Sequence, residues 1–380
     1  MVLPPFPPGP ILTSIGDFVE QPLEEEEFHR VAGARVVFAR YDLLRHDFAF
    51  DGWSDGEIDH WLVAHCAIVS KPQAAQTETN APIAIGHEMR RGYRAPLYGR
   101  AAILPVDGQQ RLIDVKGIGV RPGRTPKRKL HYTGILDATN ALQEVLFEWL
   151  IAVVLHRAGS AAAVVPAYAL LDLGFDAIGD DGARQPAFAL ARRAHTRPRI
   201  MWGDDPLDAA ELATVVDLVL LLRSYGILRN DGPFEIFRRD ADVVLEAFGR
   251  EHLFRGAEAE RVAALFRCNA QRMRLHVGSM QYDSGMRQRP PAPRLLDFGG
   301  FVAAWDDPVP IYIPASYNVY LAGEVIHPGD ARYPVTGPGR VSVLANALPR
   351  FLAAAYARGA RDGQSVMREL QLLVETWMRR

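Results

Sequence analysis

Leu295-Leu296-Asp297-Phe298-Gly299-Gly300-Phe301 places an aspartate at the end of an apolar run and follows it at once with Phe-Gly-Gly. An aspartate carboxylate can serve as an oxygen ligand to a divalent cation such as magnesium. The stretch gains its meaning from what precedes it. The other parts of a nucleotide-handling site occur upstream, in order, and the patterning on the two sides of residue 205 differs.

Upstream, short β-type runs dominate. Residues 34–39 read as a strand, 55–69 as helical and 72–80 as a loop. Residues 101–105 and 111–116 are two strands joined through Asp107-Gly108, a hairpin signal. A flexible basic loop follows from Gly117 to Lys129. Asp137, a favourable N-cap, opens a helical pattern to His156 that ends at Ala158-Gly159. Residues 162–171 and 187–191 read as strands. From Leu207 the pattern turns mostly helical, over 208–226, 240–250, 256–276, 342–357 and 362–379. The expectation is an α+β chain of two lobes: an extended arm over 1–29 ending in the acidic run Glu24 to Glu27, a sheet-rich lobe over 30–205, and a helical lobe over 206–380, with a cleft between the lobes.

The 380 residues are 48% apolar and 23% charged, which is enough apolar material for two substantial cores. A net charge of −2 supplies no global field for nucleic acid. Cys66 and Cys268 are the only cysteines, which excludes a disulfide framework and a cysteine-rich zinc site and fits a reducing compartment. The proline-rich opening MVLPPFPPGP lacks the basic and apolar regions of a secretion signal. The most apolar helical run, 145–155, is interrupted by Glu148 and is short for a bilayer. A cytoplasmic protein without membrane or nucleic-acid partners is expected. G-x-S-x-G, H-E-x-x-H and Walker patterns are absent, and the histidines lack ligand spacing.

Four places carry candidate chemistry. Lys116 ends the strand-like Leu112-Ile113-Asp114-Val115 and precedes Gly117-Ile118-Gly119, which suits a cation reaching phosphate oxygens; a surface lysine at a strand end is the plain alternative. Glu148 lies in the middle of an apolar helical run and needs a partner there, for which Lys116 is the natural choice. Glu144, one turn earlier on the same face, competes for that place. Arg192 to Arg199 hold four arginines at a strand exit, either an anion trap or a basic surface loop. Asp283, fourteen residues before Asp297, supplies a second carboxylate, one for an acceptor hydroxyl and one for a metal.

This ordered set resembles the selenoprotein O family, of which the chain would be a distant, shortened relative, over about residues 30 to 305. Gly86-His87-Glu88, Gly99-Arg100-Ala101-Ala102-Ile103-Leu104, Lys116-Gly117-Ile118-Gly119, Asp137 with Ala141-Leu142, Phe147-Glu148-Trp149-Leu150, Arg192-x-Ala194 with Arg199, His276 with Met280 to Ser284, and Asp297-Phe298-Gly299 follow its motifs. The resemblance implies a protein-kinase-like fold that transfers AMP from ATP, with Mg²⁺, to a hydroxyl on a protein or peptide. Lys116, Glu148, Arg192, Arg199, Gly99, Arg100, Gly117, Gly119 and Asp137 would bind the nucleotide. Asp283 would be catalytic, and Asp297 with Ser284 would hold the metal. In that family the two arginines hold the γ-phosphate of an inverted ATP, and the α-phosphate faces the acceptor. The chain departs from the family at Ser284, where the family has Asn, at Thr139, where it has Arg, and in the longer basic loop after Lys116. Phosphoryl transfer to a peptide or small molecule, and nucleotide binding without turnover, are the alternatives.

Overall fold

The acidic run Glu24 to Glu27 is a strand in the body of the protein. It is the first half of β1 (Glu24–Val31), and the expectation of an arm to residue 29 is corrected there. The strand is held by antiparallel ladders to two neighbouring strands, Ile68–Ser70 and Ile85–Arg94, and its carboxylates meet cations there and beyond: Glu24 meets Arg121 at 2.6 Å, Glu26 meets Arg94 at 2.9 Å and Glu27 meets Lys71 at 3.1 Å. This computed structural model describes residues 14–17, 23–75, 83–94, 99–106, 111–126, 133–178, 183–195, 209–228, 234–247, 249–266, 268, 272–275, 279–281, 294–303, 309–312, 319–321, 324–326, 340–343 and 345–379. Asp283, Ser284, Arg199, most of the arm over 1–22, the loop 287–293 and the expected boundary at 205 lie outside them.

After β1 come β2 (Arg35–Ala39), α1 (Tyr41–Phe48), α2 (Asp55–Cys66), β3 (Ile68–Ser70), α3 (Lys71–Ala75), β4 (Ile85–Arg94), β5 (Ala101–Val106), β6 (Arg111–Lys116) and β7 (Leu136–Asp137). Then follow α4 (Ala138–Arg157), β8 (Ala163–Val164), β9 (Ala167–Ile178), β10 (Arg184–Arg193) and α5 (Ala209–Ser224). The remainder holds β11 (Ile227–Leu228), β12 (Phe234–Arg239), β13 (Asp242–Ala247), β14 (Arg250–Phe254), α6 (Gly256–Phe266), β15 (Met273–Leu275), β16 (Ser279–Gln281), β17 (Arg294–Leu296) and β18 (Val302–Ala303). Last come β19 (Val309–Tyr312), β20 (Val319–Leu321), β21 (Glu324–Ile326), β22 (Arg340–Val343), α7 (Leu348–Ala357) and α8 (Gly363–Met378).

The architecture is mixed α+β around a nine-stranded antiparallel sheet, ordered β2-β9-β10-β6-β5-β4-β1-β3, with β7 added onto β10. Strand alternation sends its residues to two separate cores. Ile113, Val115, Ala189 and Ala191 face one way, packing with Leu43, Leu44, Phe48 and Trp61 of α1 and α2. Phe188 and Leu190 face the other way, onto α4.

Helix α4 is apolar on nearly every side because it is packed on nearly every side. Leu142, Leu146, Leu150 and Val153 share one apolar cluster with residues of α5, α6, α7 and α8. It has the length and composition of a membrane span, yet most of it is buried inside the protein. Asp137 caps it as expected, accepting the Asn140 N–H at 2.9 Å.

The second half is less helical than its pattern implies. Residues 240–250 form the β13–β14 hairpin, with Asp240 and Gly249 at positive φ, 54° and 74°, and paired valines at 243 and 244 that favour strand. Helix α6 stops at Phe266, and Met273–Leu275 is strand β15, so two strands expected to be helical, β13 and β15, join β12 and β14 in a four-stranded sheet β14-β13-β12-β15. Residues 340–343 are likewise strand before α7 begins at Leu348, with a proline in its first turn.

Gly117 shows how tightly the sheet is joined to β7. Its φ is 99°, and a Cβ there would lie 2.6 Å from the Phe188 carbonyl oxygen. Gly99, by contrast, has open space around it. Gly117→Ala is expected to destabilise the protein by about 1–3 kcal/mol, and Gly99→Ala by less than about 0.5 kcal/mol, as read by urea unfolding.

Candidate active site

Strand period places Asp114 and Lys116 on one face of β6, and the register with β10 sets Arg192 directly opposite Asp114 and Leu190 opposite Lys116. Beneath this face runs α4. The Lys116 ammonium forms a buried ion pair with Glu144 and lies 3.0 Å from Asp297 Oδ1. Arg192 pairs through Nε with Asp114 and places Nη1 3.5 Å from the same Asp297 oxygen. Residues 181 positions apart in the chain thus share one cluster.

Asp297 reaches it by a constrained route. Strand β17 runs parallel to β8, the first strand after α4. Asp297 then turns into the left-handed region, φ 61° and ψ 64°, a conformation that aspartate tolerates better than most residues. The following turn is clamped to α4: the Phe298 N–H donates to Glu144 Oε2 at 3.0 Å, and Gln143 donates to the Phe301 carbonyl at 2.9 Å. Gly299 lets the turn approach closely: a Cβ there would meet Glu144 Oε1 at 2.8 Å and displace the carboxylate that holds Lys116. One carboxylate, Glu144, therefore holds both the lysine and the turn that carries Asp297.

The partner expected for Lys116 is corrected by one helical turn. Glu148 does not pair with the lysine. It accepts the Ala167 N–H at 2.9 Å and faces Arg40 at 3.6 Å. The two glutamates occupy one stripe of α4, but the turn at Phe298 and the end of β6 lie over Glu144. Their surroundings separate them chemically. Burial opposes ionisation of Glu144, but Lys116 and Arg192 outweigh it and hold the carboxyl below its usual range. Burial dominates at Glu148, despite Arg40, and pushes it up to about 7. Burial likewise pulls the Lys116 ammonium down, against Asp297 and Glu144. Asp114 is also wholly buried, yet Arg192 and His195 hold it at about 2.

The other expected nucleotide residues divide by role. Arg100 adds positive potential at Lys116 and accepts the Gly117 N–H on its own carbonyl at 2.7 Å. Gly119, at φ 100°, brings its backbone against Ser70 and Gln73 of the protein itself. Asp137 is the α4 cap, and Gly99 is exposed, its carbonyl taking a bond from Arg94. Arg192 and Arg193 diverge: Arg193 grips Asp47 on the opposite side of the sheet, at 2.7 Å. Sequence reasoning passed over Asp114 and His195, the latter 3.6 Å from Asp114 Oδ2. Asp114 was findable, because two residues before Lys116 on a strand is the same face.

Among the described residues no cluster of three or more His, Cys, Asp or Glu side chains is placed to hold a metal. Asp297, its side chain 18% exposed, is the least buried carboxylate of the cluster, and magnesium takes its remaining ligands from waters and phosphate oxygens. Arg192 Nη2 is buried with no hydrogen-bond partner among the described residues, as a donor waiting on an anion would be. The donor set fits a polyphosphate with one metal ion. Comparison with family models and with curated proteins finds no match to this chain.

Glu148 has a measurable signature. Between its ordinary value and about 7 the folded protein keeps a proton there that the unfolded chain has released. Its contribution to stability therefore declines as pH rises toward and through 7. Glu148→Gln is expected to leave stability nearly unchanged below pH 4.5 and to gain on wild type by roughly 3 kcal/mol at pH 8, measured by paired denaturant titrations.

Proposed function

We propose that the chain is an ATP- and magnesium-dependent transferase with a two-lobed, protein-kinase-like organisation, moving AMP from ATP to a hydroxyl on a protein or peptide. The observation that carries the reading is the convergence of Lys116, Arg192 and Asp297: the two cations, from different strands, lie 3.0 and 3.5 Å from one carboxylate oxygen of the aspartate. Few structural needs call for two buried cations on a partly exposed aspartate beside a donor left unsatisfied; perturbed charge clusters of this kind mark functional sites.

In this reading Glu144 aims Lys116, and Asp114 aims Arg192, so that both cations meet phosphate oxygens without reorganising. Asp297 holds the metal side of the complex. Magnesium, when bound, would neutralise charge developing on the phosphate oxygens. Asp283 would orient the acceptor hydroxyl and Ser284 and Arg199 would complete the metal and phosphate contacts, roles that rest on the motif resemblance. The arginine motif favours AMP transfer over phosphoryl transfer, because it suits a triphosphate bound with its γ-phosphate inward.

Parallel incubations with α-labelled and γ-labelled ATP test this. Label from the α-position appearing on protein is expected, and Lys116→Met and Asp297→Asn should each lower it by at least about 100-fold, the scale of losing a transition-state charge contact. Label from the γ-position alone would make the chain a kinase. Thermal stabilisation by ATP without either label would leave a nucleotide-binding protein without turnover, a reading favoured by the way Lys116 and Arg192 already neutralise Asp297.

A further inference from the structure

Away from the charge cluster, a cleft of about 770 Å³ opens between β2 and the face of α8. We propose that this cleft docks an extended, acidic segment of a partner protein. Strand β2 is the terminal strand of the nine-stranded sheet, and among the described residues it pairs only with β9. A sheet edge beside a groove is a natural seat for an extended chain.

Charge selects the occupant. The ionisable side chains lining the cleft are Arg35, Arg361 and Arg368 against Asp362, with the tyrosines Tyr41 and Tyr356. That is a cationic groove on a chain whose net charge is −2. Arg35 is held by Asp172 at 2.9 Å and by the Tyr356 hydroxyl at 3.0 Å, yet its side chain is 69% exposed. Arg361 is fixed by Glu369 at 2.7 Å. Arg368 is exposed and makes no ion pair among the described residues. Arg35 and Arg368, the two exposed guanidiniums of the cleft, are the ones open to carboxylates of an incoming segment, while Arg361, 10% exposed, is already taken by Glu369.

The groove is also built in advance. Gly363, the first residue of α8, lies so close to β2 that a Cβ would meet the Val37 carbonyl oxygen at 2.9 Å. Helix and strand are therefore locked together, and little ordering remains to oppose binding. Met367 and the stems of the arginines give the walls an apolar component that suits side chains alternating with the acidic ones.

The test needs no nucleotide and so stands independently of the proposed catalysis. A fluorescein-labelled decapeptide of alternating glutamate and valine is titrated with the full chain, and anisotropy is read. Saturable binding is expected, with no binding of the lysine–valine counterpart. Arg368→Glu should weaken the acidic peptide by at least tenfold, as should Gln371→Trp, which fills the groove without touching charge. No binding of the acidic peptide, equal binding of the lysine peptide, or affinity unchanged in both variants would overturn the proposal. So would displacement of the peptide by free glutamate at equimolar concentration, which would make the cleft a small-anion site.

Discussion

The ammonium of Lys116 is the point on which the site depends. It sits at the end of a central strand, 4% exposed, where an unpaired charge would be strongly disfavoured. Glu144 and Asp297 make that position tolerable, and in doing so they tie together β6, α4 and the turn after β17. Breaking one partner of such a buried pair costs about 3–5 kcal/mol, far more than replacing both by apolar groups. A chain selected for stability alone had the cheaper apolar solution open to it. The retained charges are the feature on which the proposed ligand site rests.

The sheet delivers this arrangement by alternation. Arg192 and Arg193 are neighbours in sequence but serve different layers: one stands over α4 with Asp114, the other locks Asp47 of α1, to which Tyr168 also donates at 2.6 Å. Helix α4 repeats the device with its own period. Glu144 and Glu148 lie one turn apart, yet the first is kept charged by cations and the second is pushed toward neutrality by burial. Two carboxylates with their titrations driven apart by environment are a usual way for one scaffold to hold a fixed charge and a proton near each other.

Much of this was legible in the residues. The hairpin of β5 and β6, the capped helix α4 and the strand-end lysine followed from turn signals, an N-cap aspartate and apolar runs. Asp297 at a strand end was visible too. What failed did so for identifiable reasons. The acidic run at 24–27 looked unfit for a sheet because its cations, Lys71, Arg94 and Arg121, are far away in sequence. Residues 240–250 look helical in the sequence because their short apolar run carries no period of its own, and the turns at Asp240 and Gly249 decide it. Glu148 was preferred to Glu144 because a motif register cannot tell which of two residues on one helix stripe lies under the lysine; the position of the Phe298 turn decides that.

A double-mutant cycle on Lys116→Met and Asp297→Asn, read by urea unfolding without ligand, addresses the shared cluster most directly. The two substitutions should be non-additive by about 1–3 kcal/mol, because each removes the same buried contact. Additivity within about 0.5 kcal/mol would mean that the lysine and the aspartate do not meet in solution, and the account of a single converged site would be wrong.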